Sequence, residues 1–159
     1  MKKIILGLLC LFMVSASLFA DMTRSELQQM YLTFLRNNGV TASIDSDGDI
    51  AFEYEFEYDG DYYKDTYFII VDENDQQYFS IMYFLGPLNN PSQDLLTYAN
   101  LAASAATREA YVAKVYVNNG NVFLRAETFL VLPGNFEAVF FKLMNGMGHA
   151  ITEFLNNMQ

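Results

Sequence analysis

Apolar residues change their spacing several times along this chain, and each change marks an element. Thr23-Arg24-Ser25-Glu26 forms a capping-box pattern, in which the Thr hydroxyl serves the first free amides and Glu26 reaches back. Behind it Leu27, Met30, Tyr31, Phe34 and Leu35 recur at three and four, the spacing of one helical face. Gly39 is the left-handed cap expected to close this first helix. From Val40 the period falls to two. Thr41-Ala42-Ser43-Ile44 leads into the hairpin dipeptide Asp47-Gly48, and residues 50–58 then alternate, aromatic on one side and carboxylate on the other. Polar turns at Asp59-Gly60-Asp61 and Asp72-Glu73-Asn74-Asp75 set off two further strands, at residues 66–71 and 77–85. The pattern predicts an antiparallel meander.

Gly86-Pro87-Leu88-Asn89-Asn90-Pro91 breaks the sheet, and Ser92 is the cap of a second helix running to about Thr107. The inner side of that helix is mostly small: Leu95, Ala99, Ala102, Ala103 and Ala106. Small side chains allow close backbone approach, either to the domain's own sheet, the simpler reading, or to a copy of the helix in a second subunit. Two more strands are predicted at residues 110–117 and 122–131, joined by the hairpin turn Asn118-Asn119-Gly120-Asn121. Pro133-Gly134-Asn135 ends the sheet, and Asn135 is placed to cap a long final helix. Its apolar stripe is Phe136, Val139, Phe140, Leu143, Met144, Met147, Ile151, Phe154 and Leu155. Gly146 and Gly148 each weaken that helix by roughly 1 kcal/mol relative to Ala, which points to close packing or a bend. The expected fold class is α+β: an antiparallel sheet of five to six strands with helices at the start, middle and end, in one domain over residues 21–159.

Ahead of this domain stand Lys2-Lys3, an apolar run over residues 4–14 and the small residues Ser15-Ala16-Ser17, the pattern of a signal peptide cleaved after Ala20. The run is shorter than the ~20 apolar residues that span a bilayer, so no stable membrane span is expected after cleavage. Export to the periplasm or the outside of the cell follows as the expectation. Leu8-Leu9 in front of Cys10 argue against a lipid anchor there. Cleavage would remove Lys2, Lys3 and Cys10, leaving no cysteine and seven basic against 19 acidic side chains, a net charge near −12. The fold must then rest on its core, which is strongly aromatic: the full chain holds 11 Tyr and 14 Phe, of which only Phe12 and Phe19 fall in the leader. Nucleic acid is excluded as a partner, because phosphate binding needs a basic face and the cations here do not cluster.

Four segments carry a family resemblance. They are Asp94-Leu95-Leu96-Thr97-Tyr98-Ala99-Asn100-Leu101, Ala113-Lys114-Val115-Tyr116-Val117, Asn121-Val122-Phe123-Leu124-Arg125-Ala126-Glu127, and a helix ending Ile151-Thr152-Glu153-Phe154-Leu155. Together with the order of elements, they resemble the YbjN family, whose fold is like that of type III secretion chaperones. The resemblance implies a protein-binding, often dimeric domain and no enzymatic activity. Secretion chaperones themselves work in the cytoplasm, whereas this chain carries an export signal.

Three constellations invite a chemical reading. Asp45-Ser46-Asp47-Gly48-Asp49 suggests a calcium loop, but with Gly48 at the sixth position Ser43 falls at the first and Tyr54 at the twelfth, where carboxylates are required. A hairpin turn is the better account. Glu53, Glu55 and Glu57 share one side of a strand, as paired catalytic carboxylates do, but without desolvation they are a charged outer face that discourages aggregation and could recruit a basic peptide. His149 is the only histidine and falls on the polar side of the last helix beside Asn145, Thr152 and Glu153, so no zinc site or Ser-His-Asp triad is indicated. No metal and no cofactor are expected.

A surplus of tyrosines, Tyr58, Tyr62, Tyr63, Tyr67, Tyr78 and Tyr83, suits a protein-contact surface, although core filling accounts for most of them more simply. Arg125 and Glu127 share a strand face with Phe123 and Phe129. Outward they are ordinary surface charges, the favoured reading, and inward they would mark a binding groove. The candidate interaction residues are therefore Tyr67, Tyr78, Tyr83, Ala99, Ala102, Ala103, Ala106, Arg125 and Glu127. The expected function is a non-enzymatic, chaperone-like exported domain that binds protein or peptide and forms a homodimer. The alternative is a small-molecule or lipid-binding envelope protein with a cleft between the sheet and the C-terminal helix, where Met144, Met147 and Met158 could adapt to a ligand.

Overall fold

The computed structural model describes residues 22–58 and 60–159. The expected leader over residues 1–20 and the turn residue Asp59 lie outside the described residues.

Helix α1 (Arg24–Asn37) begins on the expected capping box: the Thr23 amide donates to Glu26 Oε2 at 2.8 Å, and the Glu26 amide to Thr23 Oγ1 at 3.3 Å. Leu27, Tyr31, Leu32 and Leu35 are buried, and Gly39 closes the helix at φ 74°. The sheet has six antiparallel strands, β1 (Ala42–Ile44), β2 (Ile50–Tyr58), β3 (Asp61–Ile70), β4 (Tyr78–Pro87), β5 (Ala113–Asn118) and β6 (Asn121–Phe129), in the order β1-β2-β3-β4-β6-β5. The first four form the meander. From β4 the chain passes through α2 (Gln93–Ala110) to the edge strand β5, and β6 returns beside β4 through a turn with Asn119 and Gly120 at φ 49° and 75°. This is the expected α+β layout.

Alternation along each strand sorts the side chains to two faces. Ile50, Ile69, Ile81, Ala126 and Ala113 lie opposite one another across five strands, all buried. The row shrinks to alanine on β6 and β5, where the two later helices pack. Helix α3 (Phe140–Met158) buries Phe140, Leu143, Met144, Met147, Ala150, Ile151 and Phe154. Against it α2 turns Ala99, Ala102, Ala103, Ala106 and Ala110, all buried. The small face thus serves close packing within the chain, and the four alanines proposed for an interface, Ala99, Ala102, Ala103 and Ala106, are interior residues.

Three local features depart from the sequence reading. The final helix begins at Phe140, five residues beyond Asn135. A 3-10 turn over Pro133–Ala138 precedes it and inserts Phe136 among Tyr31, Phe34 and Phe79, with ring centroids 4.8, 4.9 and 5.5 Å away. Asn135 Oδ1 instead accepts from the Leu132 amide at 3.0 Å. Strand β4 does not break before Gly86-Pro87: a register shift between Phe84 and Gly86, the latter at φ 140°, lets it run on to pair Pro87 with Asn121. Met144 and Met147 do not line a cleft, because both are buried in the core.

Candidate interaction surface

All buried apolar side chains of β4, β5 and β6 point to the helical side, so the intervening residues form a second face that no helix covers among the described residues. On β4 this outer set is Tyr78, Ser80, Met82 and Phe84; on β6 it is Phe123, Arg125, Glu127 and Phe129; on β5 it is Lys114 and Tyr116. Register brings them together in rows: Tyr78 with Phe129, Ser80 with Glu127, Met82 with Arg125 and Lys114, and Phe84 with Phe123 and Tyr116.

The centre of this face is polar and tightly linked. Glu127 accepts from the Tyr78 hydroxyl and from the Lys114 ammonium, and Arg125 Nε stands 3.4 Å from its carboxylate. The same Nε donates to Ser80 Oγ at 2.8 Å, and the guanidinium lies 5.5 Å from the centroid of the Tyr78 ring. Ser80 is completely covered by these neighbours. The Lys114 ammonium, and after it the Tyr78 hydroxyl, hold the Glu127 carboxyl below its ordinary range. Burial, reinforced by Glu127, pushes the Tyr78 hydroxyl up.

Aromatic groups flank the network at both ends. At one end Phe84 packs at a tilt against Phe123, which in turn stacks on Tyr116, with centroids 5.2 and 5.5 Å apart. At the other Phe129 packs on Tyr78 at 5.5 Å while remaining 76 % exposed. Beside it, Tyr111 is 92 % exposed and held out from the end of α2 at φ 57°, where its neighbours close a strained γ-turn by a Val112 amide to Ala110 carbonyl bond of 2.6 Å. A shallow groove of about 390 Å³ runs between Tyr111, Lys114, Glu127 and Phe129. Large exposed rings around a fixed charge network have the make-up of a protein contact surface.

Of the nine candidate residues, only Tyr78, Arg125 and Glu127 meet here. Tyr67 and Tyr83 lie on the opposite, helical face, directly across from one another on β3 and β4, their rings stacked at 4.5 Å and buried. They are core residues rather than a contact surface, because alternation places each beside Ile69 and Ile81 in the inward set. Arg125 and Glu127 do face outward, yet they are networked rather than ordinary surface charges. Lys114, Phe84, Tyr116, Phe123 and Phe129 complete the face. Only their period-two spacing hinted at it, since the pairing of β4 with β6 spans a helix and a strand.

The other constellations resolve as structural devices. Asp45 Oδ1 accepts from the amides of Asp47 and Asp49, both at 2.9 Å. The Arg24 guanidinium covers the same turn, bonded to the Asp47 carbonyl at 2.7 Å and 3.7 Å from Asp49. Glu53, Glu55 and Glu57 are exposed on β2, with Glu53 bound to Lys64 at 2.7 Å. His149 is exposed on α3. Among the described residues no three His, Cys, Asp or Glu side chains are grouped to hold a metal ion, and no helix is long and apolar enough to cross a membrane. No protein-family model and no curated protein matches the chain.

Proposed function

We propose that this is a non-enzymatic, exported interaction domain that contacts protein through the outer face of β4, β6 and β5, with a second copy of the chain as its first partner. One observation carries the reading: among the described residues the three α-helices occupy a single side of the sheet, while the opposite side presents Phe84, Tyr116, Phe123 and Phe129 around the Glu127 network. Charge does not stand in the way of self-association at this place. The chain is strongly acidic, but Lys114 and Arg125 outnumber Glu127 here, so two copies meet with little repulsion. The resemblance to the YbjN family and its dimeric, chaperone-like fold is in keeping with this reading, and the leader pattern supports export.

Sedimentation equilibrium of the chain from Asp21 onward tests it. Dimer mass at tens of micromolar, reverting to monomer in Phe129→Ser with Phe84→Ser, is the expected result. A monomer at every concentration, or a dimer indifferent to both substitutions, overturns it.

A further inference from the structure

The inward alternation of β3 runs Tyr63, Asp65, Tyr67, Ile69, and one member of that apolar series is a carboxylate. The reason lies in the register. Strand β3 pairs with β4 only from Tyr67 onward, so the outer half of the β2–β3 hairpin extends past the sheet. Its inward rings therefore look across an open cleft toward the end of α3, to which Gln159 Nε2 ties the hairpin by a 2.6 Å bond to the Tyr58 hydroxyl. The cleft measures about 570 Å³, and Leu155 of α3 forms its far wall. The rings of Phe56, Tyr58, Tyr62 and Tyr63 line it with Asp65 among them, and the buried Tyr83 stands behind Asp65 and reaches it through its hydroxyl.

We propose that this cleft binds a small organic cation of the quaternary ammonium class. It lies on the face of the sheet opposite the contact surface, and the proposal stands independently of that reading. Ring faces carry negative potential and attract a soft cation that keeps no tight hydration shell. Asp65 supplies the one negative charge. It is fixed in place by the Tyr83 hydroxyl at 2.8 Å and the Thr66 amide at 2.7 Å, neither of which neutralises it, and no Lys or Arg pairs with it among the described residues. Lys64 also reaches the rim, but its ammonium is bound by Glu53 at 2.7 Å. A hard divalent ion would need several oxygen ligands where only one carboxylate is present. An anion would meet carboxylate and ring faces. A cation clothed in methyl groups matches both the charge and the apolar walls, and the volume suits a small molecule.

The test is a titration of the full chain with choline, followed by tyrosine ring resonances, beside its uncharged isostere 3,3-dimethylbutanol. Saturable shifts of the cleft tyrosines with choline, and binding at least tenfold weaker for the isostere, are expected. Asp65→Asn, which preserves shape, and Tyr62→Ser, at a ring 73 % exposed and so dispensable for folding, should each weaken choline binding about tenfold or more. Phosphatidylcholine vesicles form a second arm: co-sedimentation that choline competes away assigns the cation to a lipid headgroup, and absence of vesicle binding with choline binding retained assigns it to a free solute. Equal binding of the isostere, or choline binding unchanged in both variants, or no shift at millimolar choline, overturns the proposal.

Discussion

The Thr107 hydroxyl stands against both backbone groups of Val115, accepting from its amide at 2.8 Å and donating to its carbonyl at 3.2 Å. β5 is the edge of the sheet, and at this point a helix side chain satisfies the polar groups that a further strand would pair. Thr107→Val keeps the shape and removes both bonds. It should destabilise the chain by about 1–2 kcal/mol, the usual cost of leaving a largely buried amide unpaired, measured as a lower urea midpoint with unchanged slope.

Gly146 sits where a Cβ would come within 2.1 Å of Val112 Cγ2. Gly146→Ala alone should therefore destabilise, by about 1–3 kcal/mol of overpacking. Combined with Val112→Ala, which clears the clash, the same substitution should stabilise relative to Val112→Ala by up to about 1 kcal/mol, the gain in helix propensity. Thermal melts of the four proteins of this cycle decide the matter, and additive effects would refute the close contact.

Glu127 has its carboxyl held down by Lys114 and Tyr78, so the folded state binds its proton less tightly than the unfolded chain does. The stability this contributes is fully present above the ordinary carboxyl value of 4.5 and is lost as the pH falls through the lowered folded value. Glu127→Gln should accordingly flatten the fall in stability below about pH 4.5. Urea midpoints from pH 7 down to pH 3 would show it, and an unchanged acid limb would mean the network contributes nothing to folding.

Tyr31 titrates in the opposite range. Burial raises its hydroxyl from 10.0 to about 12, which means the unfolded chain releases this proton first as the pH climbs. Its contribution is intact below pH 10 and disappears between pH 10 and about 12. Tyr31→Phe should leave stability near neutrality little changed and make the alkaline limb shallower, as followed by circular dichroism across that interval.

Much of this architecture is written in local patterns. The capping box at Thr23 and Glu26 formed as expected because these two residues, three apart, satisfy each other's backbone amides. Gly39, Gly48, Gly60 and Gly120 all take positive φ at the predicted turns, since each position demands a conformation that side chains resist. Asn135 misled because capping chemistry at a helix start also serves a 3-10 turn. What selected between them was Phe136, whose place among Tyr31, Phe34 and Phe79 depends on elements about 100 and 55 residues away in the chain.

By itself, then, the order of residues determined the α+β class, the meander, the hairpin turns and the apolar side of each helix, because these follow from spacing and backbone preference within a few neighbours. Only the tertiary structure decided that Tyr67 and Tyr83 are interior while Tyr78 is not, that the alanines of α2 meet α3, and that Lys114 and Tyr78 converge on Glu127. Those outcomes depend on which strands lie side by side and in what register. The pairing of β4 with β6 was settled by burying a shared face across a long intervening segment, a long-range balance of packing that no local window records.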